Sequence, residues 1–273
     1  MKNKILTLIL LLILVSCKTG KTFYMNCDFP KHSPTPGGVI NIPIKDNAIT
    51  SPINDEIYLC KESENLYKII FPISLEFSQE KLKLNITKSL YKEVSINKKE
   101  SKLSRVQITK NEFIKVSNTN NIRAYEEMLL TNKILRTSSD SIHLKNLKMI
   151  KPVSGIISSE FGARRVVNDQ PRKPHSGMDI AAEIGSQIVA PLEGKILLIE
   201  DFFYRGKVIF IDHGKDLIST YSHLSKVNVK LNDLVSQGMV IGEVGKTGRV
   251  TGAHLHWQIL LKGTAINPAL FLD

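Results

Sequence analysis

The stretch GAHLHWQILL, residues 252–261, is typical of a β-strand that is entered from a glycine turn. Residues two apart in a strand project to the same face, so His254 and His256 are predicted to point into one cavity. Such a cavity can hold both a metal ligand and a catalytic base. Trp257 then projects to the opposite face, where packing in the core is its expected role.

Similar apolar runs precede this strand and are separated by glycine-rich turns. They predict strands over 195–200, 207–212, 218–223, 239–244 and 255–261. Because the runs are closely spaced, an antiparallel sheet is favoured over a parallel one. The segment GKTGR, residues 245–249, lacks the spacing of a phosphate-binding loop, so we predict a loop that leads into the last strand.

A second histidine stretch, His175-Ser176-Gly177-Met178-Asp179, lies upstream. Its Ser-Gly pair predicts a strand that ends in a turn, from which His175 and Asp179 can both reach a metal held by His256. Two imidazoles and one carboxylate leave one position of a tetrahedral zinc site for water, which is the catalytic pattern. The alternative is that these histidines only satisfy polar groups at sheet edges, as we expect for His213 in its hairpin turn.

Five motifs follow one another in the second half: FGARR (161–165), PHSGMDI (174–180), AP (190–191), YSHLS (221–225) and GKTGRVTGAHLHW (245–257). Together and in this order they resemble the lysostaphin-type (LytM-like) zinc metallopeptidases. The resemblance covers about residues 152–272. It implies a mainly β domain with an antiparallel sheet, the duplicated hybrid motif, and a zinc ion in a groove on that sheet. Ala253 and Gln258 depart from the family pattern, which usually has Pro and an acidic residue there.

Carried over residue by residue, the resemblance implies one zinc ion per chain, held by His175, Asp179 and His256. It also implies an unliganded catalytic pair, His223 and His254. No Glu follows a zinc-binding histidine, so these two histidines are the groups left to move the proton. We assign His254 as the general base. His223 would orient water or stabilise the oxyanion, and the sequence allows the two roles to be exchanged.

Residues 1–16 have the form of a lipoprotein signal peptide. A basic start precedes an apolar run that is too short to span a bilayer, and Leu14-Val15-Ser16-Cys17 resembles the bacterial lipobox. The resemblance implies export and a membrane anchor through lipid at Cys17. Lys18 after the cysteine favours the periplasmic face of the outer membrane. The alternative, an ordinary secretory signal with an incidental cysteine, also exports the protein.

Four segments are expected after the signal peptide: a tether at 17–38, a smaller β-rich domain at 39–118, a helix and linker at 119–147, and the peptidase-like domain at 148–273. In the β-rich domain, strands are predicted over 39–44, 56–60, 66–75, 81–86 and 105–116.

The connecting helix is expected to be capped by Asn120 or Asn121, to end near Arg136 and to pack between the domains. A polar linker at 137–141 follows it. Outside the cytoplasm, Cys27 and Cys60 are expected either to form a disulfide or to remain as two buried thiols.

Positive charge is concentrated in the first half. Residues 1–150 hold 23 Lys and Arg against 14 Asp and Glu, a net charge of +9, whereas residues 151–273 hold 14 against 12, a net charge of +2. In an exported protein this favours contact with an anionic polymer or a membrane surface, and a solvated Lys-rich surface is an equal alternative. No nucleic-acid-binding motif is visible, so nucleic acid is not an expected partner.

These features predict a zinc endopeptidase that hydrolyses peptide crosslinks of bacterial peptidoglycan. By resemblance, a lipoprotein of this type cleaves the D-alanyl to meso-diaminopimelyl bond in wall growth or cell separation. The alternative is a catalytically silent or latent wall-binding regulator that activates another peptidoglycan hydrolase, since some relatives have lost their zinc ligands. A lysin directed at Gly-rich bridges is disfavoured by the lipid anchor. A regulatory protein partner is also considered, because an uncontrolled groove would endanger the cell's own wall.

Overall fold

The computed structural model describes residues 24–49, 52–136 and 145–273. The predicted signal peptide, the predicted lipidation site Cys17 and the polar linker at 137–141 lie outside these residues. Two short 3-10 helices, Asp46–Ala48 and Pro268–Phe271, accompany the regular elements. The strands and helices are β1 Val39–Lys45, β2 Tyr58–Lys61, β3 Leu66–Pro72, β4 Lys81–Asn85, β5 Tyr91–Ser95, β6 Leu103–Val106, α1 Asn111–Ile114, α2 Asn118–Ile134, β7 Ile156–Ser159, β8 Arg164–Val167, β9 Gln170–Arg172, β10 Met178–Ala181, β11 Gln187–Val189, β12 Gly194–Phe202, β13 Gly206–Asp212, β14 Leu217–Val227, β15 Leu234–Val235, β16 Val240–Val244, β17 His254–Leu261 and β18 Thr264–Ile266.

The carboxyl-terminal half is built on one large antiparallel sheet, with the strand order β15-β12-β13-β14-β17-β10-β7. Strand β16 pairs with β14 and with β11, and β18 pairs with β17. The five predicted strands correspond to β12, β13, β14, β16 and β17, so the mainly β, antiparallel fold is confirmed. Alternation along β17 places Leu255, Trp257 and Ile259 in the core, each with no exposed surface. His254 and His256 therefore face away from that core.

The amino-terminal sheet has the antiparallel order β1-β3-β2, and both of its faces are buried. Neighbouring residues on a strand project to opposite sides. Val39 and Ile70 pack into the core of the large sheet, whereas Ile40 and Ile69 pack against the hairpin formed by β4 and β5. The amino-terminal sheet is thus held between the hairpin and the large sheet, and it shares one hydrophobic core with the latter.

The segment before β1 is packed against this sheet. Cys27 forms a disulfide with Cys60, and both residues are fully buried. The Asn41 side chain donates hydrogen bonds to the carbonyl oxygens of Cys27 and Pro30. Within the predicted tether at 17–38, residues 27–38 therefore belong to the folded body of the protein.

The predicted strand at 105–116 is wrong beyond its first two residues. Strand β6 ends at Val106 because the Asn168 side chain exchanges hydrogen bonds with both backbone groups of Ile108, which removes them from any further ladder. Helix α1 then follows. Strand β6 pairs in parallel with β8, which in turn pairs with β9, so the amino-terminal half reaches the peptidase-like half through this small sheet.

Helix α2 begins one turn earlier than predicted. Its cap is Ser117, whose hydroxyl accepts a hydrogen bond from the Asn120 N–H, so Asn120 lies in the first turn of the helix. Leu130 and Ile134 pack against a cluster on the outer face of the large sheet, rather than between two domains. Within the described ranges, no helix has the length and apolar character needed to cross a membrane.

Candidate metal centre

Three side chains converge where β10 runs beside β17. Asp179 lies directly opposite His256 in the antiparallel register, and the segment before β10 brings in His175. The oxygen Asp179 Oδ1 lies 2.7 Å from His256 Nδ1 and 3.0 Å from His175 Nε2. The two nitrogens are 3.0 Å apart. The structure therefore brings the three predicted ligands together at one point.

The three donor atoms fit a zinc ion. Zinc holds imidazole nitrogens and carboxylate oxygens at about 2.0–2.2 Å in a tetrahedron, which places neighbouring donors about 3.3 Å apart. The observed separations of 2.7 Å and 3.0 Å differ from that by only a few tenths of an ångström. No other group of three or more His, Cys, Asp or Glu in the described ranges has this convergence. Three protein donors leave one position of the tetrahedron for water.

The order of elements around His175 differs from the prediction. Residues 173–177 form an irregular segment that comes before β10, whereas we predicted a strand that ends in a turn. Gly177 is the reason that this segment can lie so close to β17. A Cβ atom at this position would be 2.6 Å from His256 Cε1 and 2.7 Å from the carbonyl oxygen of Trp257. Only glycine leaves room for the ring of His256.

Neighbouring groups hold two of the three candidate ligands in forms that can bind a metal. The Nδ1–H of His175 donates to the carbonyl oxygen of Glu160 at 3.0 Å, which leaves the Nε2 lone pair for a metal. The Arg165 guanidinium donates to the other carboxylate oxygen, Asp179 Oδ2, at 2.6 Å. His175 is thus supported by a backbone carbonyl, whereas Asp179 is held by a cation.

The pKa values of two ligands suit metal binding. Burial alone would raise the pKa of Asp179, but its close contacts with His175 and His256 hold it well below its ordinary value of 3.8. Burial lowers the pKa of His256 to about 4. At pH 7 the carboxylate is therefore ionised and the imidazole is neutral, which are the forms that bind a metal.

A β-bulge places His223 beside the ligands. Tyr221 pairs with Trp257 in the core, and regular alternation would send His223 to the same side. Instead the register between β13 and β14 slips just before His223, and its backbone adopts a left-handed φ of 68°. The ring of His223 lies 4.8 Å from that of His254 and 6.1 Å from that of His256, between centroids.

The two unliganded histidines have the same hydrogen-bond arrangement. His223 Nδ1–H donates to the carbonyl oxygen of Thr247 at 2.9 Å, and His254 Nδ1–H donates to that of Gly252 at 3.0 Å. Both rings thus have Nε2 as a free acceptor, and His254 Nε2 lies 3.9 Å from Asp179 Oδ1. Burial and the nearby His256 and His254 hold the pKa of His223 well below 6.5, so it is neutral at pH 7.

The fifth histidine of this half, His213, lies apart from the centre. It is buried in the turn between β13 and β14, where its ring contacts the Glu193 carbonyl oxygen at 2.7 Å and Ser219 Oγ at 2.8 Å. Burial lowers its pKa to about 4. The structural role that we expected for it fits these contacts.

Three residues of the site had no role in the sequence analysis. Arg165 holds a ligand, and Thr247 supplies the carbonyl acceptor of His223. Arg205 lies beside His256, and its guanidinium donates to Ser222 Oγ at 3.0 Å and to Thr220 Oγ1 at 2.6 Å. The motif FGARR contains Arg165 and was a usable signal, whereas nothing around Arg205 marks it in the sequence.

A groove of about 460 Å³ opens beside the metal centre, and His175 and His256 form part of its lining. Its other walls come from β8, from the segment at 172–176, and from Arg205, Arg249 and Gln258. An extended peptide laid in this groove would pass directly beside the three converging donor atoms.

Known proteins share this sequence and fold. Residues 173–268 match peptidase family M23. The peptidoglycan DD-endopeptidases ShyA and ShyC of Vibrio cholerae are each 39% identical to this chain, over 112 and 114 residues. These matches cover 41% of this chain and 26% of each relative, so the chain spans about a quarter of the length of the curated relatives it matches.

One solved structure matches nearly the whole chain. It comes from Pseudomonas aeruginosa, is assigned to peptidase M23, and is 31% identical with a TM-score of 0.70. The match covers 89% of this chain and 96% of that one, so it includes the amino-terminal sheet as well as the metal centre. The resemblance drawn from the sequence motifs is thereby confirmed, and the chain belongs to peptidase family M23.

Proposed function

We propose that this protein is a zinc-dependent endopeptidase that hydrolyses peptide crosslinks of bacterial peptidoglycan. The observation that carries the proposal is the convergence of His175, Asp179 and His256 within 3.0 Å, with the free nitrogens of two further histidines beside them. A closed structural zinc site has four protein ligands and needs no such pair.

The residues divide the chemistry between them. Zinc bound by His175, Asp179 and His256 would supply a Lewis acid and a water of lowered pKa. His254 is the proposed general base, because its Nδ1–H is engaged by Gly252 and its Nε2 faces the centre. His223 also presents an unprotonated Nε2, so we assign it to orienting water, rather than to donating a hydrogen bond to an oxyanion.

The substrate proposal rests on the relatives that are named peptidoglycan DD-endopeptidases. We propose cleavage of the D-alanyl to meso-diaminopimelyl bond in wall growth or cell separation. The protein would be exported and anchored through lipid at Cys17, on the periplasmic face of the outer membrane. A regulatory partner would limit access to the groove in the cell.

Digestion of purified sacculi tests the activity. The zinc-loaded full chain is incubated with sacculi, and the muropeptides are separated. We expect crosslinked dimers to be lost and monomers to increase in step, and a chelator should block both changes. Unchanged muropeptides with one zinc ion bound per chain would contradict the proposal and would favour a silent regulator that activates another hydrolase.

Metal analysis of single variants tests the division of roles. Asp179→Ala and His256→Ala should lose both zinc and turnover, because each removes a donor atom. His223→Ala and His254→Ala should keep zinc and lose turnover. His32→Ala, at an exposed position of the amino-terminal half, is the control that should change neither. Full zinc occupancy in Asp179→Ala together with metal-free His254→Ala would overturn the assignment.

A further inference from the structure

The groove beside the metal centre is lined by cations. Arg165, Arg172, Lys173, Arg205 and Arg249 all form part of its walls. The lining contains neither Asp nor Glu. This concentration is unexpected, because the half of the chain from residue 151 onward has a net charge of only +2.

Two of the five cations have anionic partners within the protein. Arg165 is paired with Asp179 at 2.6 Å. Lys173 lies 3.5 Å from Glu76, and both of those side chains are exposed. Their charge is thus partly balanced without any ligand.

Of the other three cations, Arg172 is exposed, and Arg205 and Arg249 contact neutral groups. Arg205 donates to the hydroxyls of Ser222 and Thr220, and Arg249 stacks on the ring of Tyr204 at 4.4 Å from its centroid. No ion pair among the described residues involves Arg172, Arg205 or Arg249. Burial lowers the pKa of Arg249, and the nearby charges of Arg172 and Arg165 lower it further, although Tyr204 opposes them. Arg172 and Arg165 are therefore held close to Arg249, and of these three only Arg165 has an anionic partner among the described residues.

We propose that Arg172, Arg205 and Arg249 bind a free carboxylate of the substrate, carried by the residue next to the scissile bond. Guanidinium groups suit this role because their planar array of donors matches the two oxygens of a carboxylate. The inference rests on the proposed function. In a crosslink to diaminopimelate, the carbon that bears the new amide also carries a free carboxylate, so the chemistry of that substrate supplies the anion beside the bond.

The cluster would then determine specificity. A substrate that is neutral at this position, such as a glycine bridge or an amidated diaminopimelate, would leave the guanidinium groups without an anion. A buried or half-buried charge discriminates strongly against a partner that lacks its complement. The arginines position the substrate and take no part in proton transfer.

A matched pair of substrates tests the proposal. Two crosslinked dimers are prepared that differ only in whether the carboxylate beside the scissile amide is free or amidated, and kcat/KM is measured for the full-length, zinc-loaded protein. We expect the free acid to be preferred about tenfold to a hundredfold, as is typical of one charged hydrogen-bonded contact. Arg249→Gln and Arg172→Gln should each lower kcat/KM for the free acid about tenfold more than for the amide. Arg249→Lys should recover part of the preference.

The control variant is Lys98→Gln, which removes one positive charge from a side chain that is 92% exposed and lies outside the groove. This variant should leave kcat/KM unchanged for both dimers. Equal kcat/KM for the two dimers would overturn the carboxylate inference and leave the proposed peptidase intact. If neither dimer is cleaved, the proposed function fails, and the inference is decided by binding of both dimers to the zinc-loaded His254→Ala variant. Equal affinities there would overturn it, whereas tighter binding of the free acid would support it.

Discussion

The two halves of this protein bury different kinds of residue. In the described ranges, eight of the nine buried polar or charged residues lie between His175 and His223, in the carboxyl-terminal half. The amino-terminal half contributes only Thr87. The cluster between its sheet and the β4–β5 hairpin is aliphatic, with isoleucines predominating, and the disulfide lies in the core that it shares with the large sheet.

The difference shows that buried polar groups, which cost stability, are concentrated in the half that carries the metal centre. Each buried polar group must find a partner or destabilise the fold, so the large sheet contains chains of hydrogen bonds such as that of His213, Ser219 and Tyr221. The amino-terminal half has fewer buried polar groups that need a hydrogen-bond partner. We therefore expect loss of the disulfide to lower the stability of the amino-terminal half. Protonation of buried histidines and displacement of side chains should instead affect the stability and the activity of the carboxyl-terminal half.

Removal of the disulfide should have the largest effect on stability. The bond between Cys27 and Cys60 closes a loop with a sequence separation of 33 residues. Restricting an unfolded chain over that length stabilises the native state by about 3–4 kcal/mol. Cys27→Ala combined with Cys60→Ala should lower the free energy of unfolding by this amount, as measured by urea titration. Turnover below the unfolding transition should not change, and a loss of turnover in the folded variant would show that the two halves are not separable in this way.

Protonation of His213 should destabilise the carboxyl-terminal half. Its pKa is about 4 in the folded protein, against an ordinary value of 6.5. The unfolded chain therefore takes up the proton first, so stability falls as the pH drops from 6.5 to 4 and is not lost further below that. The expected loss is about 3 kcal/mol.

Urea titrations of the metal-free wild type and of His213→Gln at pH 7 and pH 4 isolate this loss, because the lowered pKa values of His223 and His256 affect both proteins alike. His213→Gln should be less stable than the wild type at pH 7 and should lose less stability on acidification. Among the described residues of the amino-terminal half there is one histidine, His32, and it is exposed. An identical pH dependence in the wild type and in His213→Gln would contradict the assignment.

Gly177→Ala should disturb the site with little effect on the amino-terminal half. The added methyl group would meet the ring of His256 at 2.6 Å, so the ring must move away from Asp179. A displacement of about 1 Å at a catalytic centre typically lowers the rate about a hundredfold. The affinity for zinc, measured by titration, and kcat should both fall. The control is Gly263→Ala, where φ is 74° but no atom lies within 4 Å, so backbone strain alone should appear.

The large sheet and the shared face of His254 and His256 could be predicted from sequence because both depend on local periodicity. The apolar run of β17 fixes which face His254 and His256 share, and the antiparallel register then sets Asp179 opposite His256. Five of the ten strands of that sheet were predicted within a few residues for the same reason. The disulfide was left open, since pairing depends on how distant segments meet.

Long-range contacts explain what the sequence could not predict. The bulge that turns His223 towards the centre arises from a slip in pairing with β13, which no local pattern records. The break after β6 depends on Asn168, about sixty residues away in the chain. Arg205 lines the groove only because β13 lies beside β14. Alternation likewise does not reveal that both faces of the amino-terminal sheet are covered.

The smallest expected effect concerns α2, which links the two halves in the sequence. Ser117 caps α2, and its hydroxyl accepts the Asn120 N–H at 3.2 Å. Ser117→Ala should lower the free energy of unfolding by about 1 kcal/mol, and the melting temperature by about 2–4 °C. Asn118→Ala, one residue further along the exposed first turn, is the control and should not destabilise the helix. Leu130 and Ile134 pack on the large sheet, so the loss should appear in the unfolding of the carboxyl-terminal half. If it appeared instead in the amino-terminal half, as judged by hydrogen exchange of β1 and β3, α2 would belong with the aliphatic core rather than with the sheet that carries the metal centre.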